Sequence, residues 1–149
     1  MGADLYIQSL HAAQRARWER RYEAAAKLRD RLPAGSTEAK GAQAEVERSF
    51  EQMYARGYFR DPYNNRDVLW QFGLSWWTDI IPMLDGDSAL SVSASRRLLL
   101  ILKERETAFE ERLSAFLEKD QRYFRDRYAE LQRFLNEAIT LDEPITCSL

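Results

Sequence analysis

One cysteine, one histidine, four prolines and six scattered glycines are all that the 149 residues contain of these types. Each scarcity excludes something. Cys147 has no partner for an intrachain disulfide. With no Lys, Arg or His near it in sequence, its thiol reads as a small buried hydrophobe. A lone imidazole, His11, removes most zinc and di-iron sites, which use paired imidazoles or Glu-x-x-His repeats. No metal and no cofactor is expected. No Gly-x-Ser-x-Gly stands near to make a nucleophile for it, so His11 is read as a solvent-facing helix residue. The glycines form no phosphate-cradling loop.

Long apolar runs are missing too. The longest uncharged stretch through the tryptophans, Val68 to Thr78, has eleven residues, whereas a span needs about 20. No charged-then-apolar segment opens the chain. Tyr6 stands where a myristoylated sequence has Ser or Thr, and Cys147 lies one place too late for prenylation. A cytoplasmic protein that neither spans nor anchors in a membrane is the expectation. The formal net charge of −2 argues against bulk attraction to nucleic acid, although the first 66 residues alone carry +3.

What is present is amphipathic helix. Ser9–Leu32 reads as a first helix with Trp18, Tyr22, Ala25 and Leu32 on its apolar stripe. Arg17, Arg20, Arg21, Lys27 and Arg31 line one flank, and Pro33-Ala34-Gly35 stops it. Ser36 or Thr37 caps a second helix carrying Val46, Phe50 and Met53, with Gly57 placed for a left-handed end. Beyond Asp87 no Gly or Pro intervenes before Glu143. A continuous helix there would run about 75 Å, too long for one compact domain, so a break is placed at Glu118–Gln121.

The centre of the pattern is the stretch after Asn65. At 100° per residue, Trp70, Leu74, Trp77 and Ile81 form one stripe, with Leu69, Phe72, Trp76 and Ile80 beside it. A helix apolar on so much of its circumference requires cover from several neighbours, so Trp70, Trp76 and Trp77 are all expected to be buried. The two tails alternate, with Leu5 and Ile7 at one end and Ile145, Cys147 and Leu149 at the other. That is a weak strand signal, and they are expected to pack on the bundle or on each other. Together these features predict an all-α fold. It is one helical domain over residues 1–149, a compact bundle of four to five helices around a central Trp-rich helix at about 66–81, with short extended terminal segments.

One loop mixes aromatic and polar chemistry: Tyr58-Phe59-Arg60-Asp61-Pro62-Tyr63-Asn64-Asn65-Arg66. A helix N-terminus, two arginines and aromatic walls suit a carboxylate or phosphate, which makes Arg60, Tyr63, Asn64, Asn65 and Arg66 the candidate ligand or partner residues. The same groups also serve structure alone, with Asn64 or Asn65 as N-cap, Asp67 on the helix dipole and Arg60 paired to Asp61 or Asp67. Nothing marks catalysis. The leading expectation is a non-catalytic helical protein acting through protein–protein interaction, with another protein or a second copy as partner. A small-anion-binding protein or enzyme using residues 58–67 is the alternative. Nucleic-acid binding through the basic flank of the first helix comes third.

Overall fold

Both tails of the chain are strands, and they pair. In the computed structural model, which describes residues 1–149, β1 (Gly2–Tyr6) runs antiparallel to β4 (Ile145–Ser148) with Leu5 opposite Cys147. The alternation seen in sequence is the cause. Ala3, Leu5, Ile145 and Cys147 all point to the buried face, where period-two spacing puts them together. The dipeptide strand β3 (Ala89–Leu90) takes the other edge of β4. β2 (Tyr58–Pro62) completes a four-stranded sheet in the order β2-β1-β4-β3. The fold is therefore mostly helical with a small antiparallel sheet, and not all-α as the periodicity predicted. The two terminal strands lie where the alternating tails are expected to be extended, whereas β2 and β3 escaped the sequence, β3 because it is only two residues long and β2 because Asp61-Pro62 reads as a turn.

The chain divides into two compact units. The smaller, residues 8–58, is a pair of helices, α1 (Gln8–Arg31) and α2 (Thr37–Met53). Gly35 turns the connection at φ +80°, a conformation that favours glycine. The Ser36 hydroxyl accepts from the Ala39 amide at 3.1 Å and starts α2. Arg29 reaches Gln43 at 3.0 Å, and Gln14 donates to the Gln52 carbonyl at 2.7 Å. α1 buries only His11 and Ala25. His11 is thus not solvent-facing: its ring lies 5.4 Å from that of Tyr54 and 6.1 Å from that of Tyr58. Burial, helped by the Arg15 charge, holds the imidazole below its ordinary pKa. Gly57 has the expected positive φ, but α2 already closes at Tyr54.

The larger unit combines residues 1–7 with 59–149. Here the central helix expected at 66–81 is broken into three pieces. α3 (Val68–Gln71) is a single turn, followed by a π-helical turn at Trp76–Ile80 and a 3-10 turn at Ile81–Met83. Gly73 makes the break. It sits at φ +69°, its amide donates to Trp70 O at 2.9 Å, and the Leu74 amide donates to Leu69 O at 3.2 Å. Those two bonds are the 5→2 and 6→1 pair of a Schellman cap, the ordinary use of a glycine after a helix end. The cap redirects the chain beyond Gly73, so Trp70 and Trp77 no longer share a stripe with Leu74. Leu74 and Trp76 are buried, while Trp70 is 50% and Trp77 54% exposed.

After β3, Ser91 caps α4 (Val92–Glu104). α5 (Glu106–Leu113) begins after a kink at Arg105, and α6 (Glu118–Leu141) after residues 114–117. The long apolar run thus breaks twice, once just before the expected Glu118–Gln121 and once more at Arg105. At this kink Arg105 Nη1 donates to Phe72 O at 3.1 Å and Gly73 O at 3.3 Å, satisfying carbonyls freed by the glycine break. Phe72 stacks on Phe109 with centroids 4.2 Å apart, and Tyr128 closes on both. No helix is long and apolar enough to cross a membrane.

Candidate functional site

Asp61 organises the loop that carries the candidate residues. It lies on β2, is 0% exposed, and has no cation beside it. Its Oδ1 accepts from the Val68 amide at 2.8 Å. Its Oδ2 accepts from the Leu69 amide at 3.2 Å and from Trp76 Nε1 at 2.8 Å. One carboxylate thereby fastens β2, the start of α3 and the π-helical turn. Burial pushes the carboxyl up to about 6, although the three donors pull the other way. A folded pKa above the unfolded one means that the native state takes up the proton first. The stabilisation this brings is full below the ordinary carboxylate range and is lost as pH rises through about 6, a change of about 3 kcal/mol. The indole N–H resonance of Trp76 should therefore titrate with a midpoint near 6. A flat resonance from pH 4 to 8 would contradict the bond.

The residues singled out from the sequence fall around this clasp. Arg60 is exposed on β2 and pairs with Asp4, at 3.4 Å, and not with Asp61 or Asp67. Its carbonyl accepts from Arg127, whose guanidinium also covers the Phe59 ring at 4.4 Å. Asn64 and Asn65 are exposed, and Asn65 takes a left-handed turn at φ 62°. Neither caps the helix. Asp67 does, accepting from the Trp70 amide at 2.9 Å. With Val68 and Leu69 held by Asp61, all three first-turn amides of α3 already have carboxylate partners from the chain itself.

Tyr63 and Arg66 belong instead to an aromatic and cationic surface. The Tyr63 ring lies 5.7 Å from that of the half-exposed Trp77. Burial, then the charges of Asp4, Asp61 and Asp67, raises its phenol pKa. Arg66 sits 4.5 Å above the Tyr123 ring and 3.5 Å from Asp120. Arg112 lies 5.8 Å from the Trp70 ring, and its charge offsets the burial that raises the Asp67 carboxyl. Tyr63 thus meets Trp77 and Arg112 meets Trp70, and the Asp67 charge acts on both Tyr63 and Arg112. Sequence reasoning missed the two tryptophans as surface residues, and it missed Arg112 and Tyr123 altogether. The available signal was Gly73, whose break puts Trp70 and Trp77 outside the stripe.

No group of three or more His, Cys, Asp or Glu side chains is placed to hold a metal ion. Cys147 is buried, its thiol pushed up to about 12 by that burial, so a reactive thiolate is not on offer. Comparison with protein-family models, with curated proteins and with solved structures gave no match.

Proposed function

We propose that this protein is a non-catalytic helical protein that acts through protein–protein interaction, and that its contact surface is the aromatic–arginine rim of Tyr63, Arg66, Trp70, Trp77 and Arg112. The observation that carries the reading is the pair of half-exposed tryptophans. Trp70 and Trp77 each leave about half of a large apolar side chain in water, which is costly at about 25 cal/mol per Å² unless something covers it. Trp, Tyr and Arg are also the residue types that supply most binding energy at protein interfaces. The arginines are already oriented by their rings and by Asp120, so little side-chain entropy is left to lose on docking.

The small-anion reading of residues 58–67 has weaker support, because the α3 amides that would hold the anion are taken by Asp61 and Asp67. The basic flank of α1 is partly committed as well, with Arg21 beside Glu45 at 3.8 Å and 4.9 Å from the Trp18 ring.

A photo-crosslinking amino acid placed at 70 or at 77 in cells tests the proposal. Position 100 serves as reference, since Leu100 is also exposed in the larger unit. A discrete adduct at 70 or 77, absent at 100 and lost when Arg66 and Arg112 are both changed to Ala, is the expected result. Equal labelling at all three positions, or none at any, overturns it.

A further inference from the structure

We propose that the hollow between α1 and the last turns of α2 binds a methylated ammonium head group. The hollow encloses about 200 Å³ and lies wholly within the smaller unit. Sites that enclose a whole small ligand run to roughly 300–1,000 Å³, so a head group is what fits. Tyr22, Phe50, Met53 and Tyr54 give it an aromatic and apolar lining. The rings are already held in place. Phe50 lies 6.2 Å from Tyr22 and 5.2 Å from Tyr54, centroid to centroid. Tyr54 is braced in turn by Tyr58 at 4.9 Å and His11 at 5.4 Å. Little side-chain entropy is therefore left to lose on binding. Yet Phe50 is 50% exposed, while Val46 and Met53 on its stripe are buried. Half of an ordered aromatic side chain is left without cover.

Charge selects the occupant. The charged side chains of the lining are Arg15, Glu19 and Glu23. Arg15 meets Glu19 Oε1 through Nη2 at 3.1 Å and Nε at 3.2 Å, so these two cancel. Glu23 has no ion-pair or hydrogen-bond partner within the protein, Lys27 one turn on included. The lining is left with one unopposed carboxylate beside three aromatic rings. That combination suits a cation, which the ring quadrupoles attract as well. Methyl groups decide which cation. A bare ammonium is strongly hydrated, and its N–H donors would be stranded against the aromatic lining. A quaternary ammonium has no N–H to strand and presents methyls to the rings.

Titration of the isotope-labelled full chain with choline chloride, followed by amide NMR, tests this. Saturable shifts should appear at Glu23 and Phe50. The tert-butyl analogue of choline keeps the shape without the charge, and ethanolamine keeps the charge without the methyls. Each should bind about fivefold more weakly, the size of one exposed ion pair or cation–π contact. Glu23→Gln and Phe50→Leu, both at exposed positions that the fold tolerates, should weaken choline by about the same factor. Glu38→Gln, at an exposed acid near the other end of α2, should leave it unchanged. Nα-acetyl-trimethyllysine carries the same head group. Whichever of it and choline saturates at the lower concentration separates a modified protein side chain from a free amine as the source. Non-saturating shifts with both, shifts centred elsewhere, equal binding of the uncharged analogue or of ethanolamine, or a Glu23→Gln variant that binds choline normally would each overturn the proposal.

Discussion

Replacing Asp61 with Ala is expected to remove about 3 kcal/mol of stability at pH 7, through three stranded donors each costing roughly 1–3 kcal/mol. The Val68 and Leu69 amides and the Trp76 indole N–H all end on this carboxylate, and Asp61 itself is wholly buried. One term works against the loss. The ionised side chain is itself unfavourable in the fold, as a carboxyl pushed up to about 6 implies, so deleting it returns up to about 3 kcal/mol at neutral pH. The donors win because there are three of them. Asp61→Asn separates the two terms. An amide keeps one accepting oxygen but turns an NH2 group towards donors, so it should still cost about 2 kcal/mol. If burial of charge dominated instead, the neutral Asn would match or exceed the parent protein. Urea unfolding at two pH values gives the second check. The parent gains stability between pH 7 and pH 4.5 through this group and neither variant does, so the deficit of each should be larger at the lower pH. An Asn variant within 0.5 kcal/mol of the parent at both would show that the clasp contributes little.

Asp61 also marks where sequence reading stops. As written, Asp61-Pro62 looks like a turn dipeptide, and nothing local says that the carboxylate meets groups seven, eight and fifteen residues away. The tails were legible because alternation is a local property that needs only a partner of the same period, and β1 and β4 supply each other. The central helix was misread for the opposite reason. Periodicity from 66 to 81 is strong, but it treats Gly73 as one weak residue among sixteen. In the fold that glycine's positive φ and two cap bonds outweigh the pattern, since helix propensity gives way readily to tertiary context. The candidate site shared the error. Arg60 and Arg66 were found, but their partners, Asp4 in one case and Asp120 with Tyr123 in the other, lie more than fifty residues away along the chain.

The other large effect belongs to β4, which lies between β1 and β3 and so holds two strands at once. Its burial alternates, with Ile145 and Cys147 inside while Thr146 is half-buried and Ser148 exposed. Ile145 is fully buried and sits opposite Leu90, itself fully buried. Ile145→Ala should therefore cost about 2–5 kcal/mol by lost transfer and residual cavity. Ile145→Asp should cost more, because an unpaired charge would enter an apolar layer. Thr146→Ala, one residue away on the other face, should stay within about 1 kcal/mol. In melting temperature that separates a fall of roughly 10 °C from one of a few degrees at most. Removing residues 145–149 should go further. It would strip β1 and β3 of their shared neighbour, break the Cys147 amide bond to Ser88 O at 2.9 Å, and uncover Leu5 and Leu90 together. A frayed tail predicts the reverse, with Ile145→Ala, Thr146→Ala and the deletion all melting with the parent. The steep contrast between adjacent positions is what distinguishes a central strand, because only a fixed register makes 145 costly and 146 cheap.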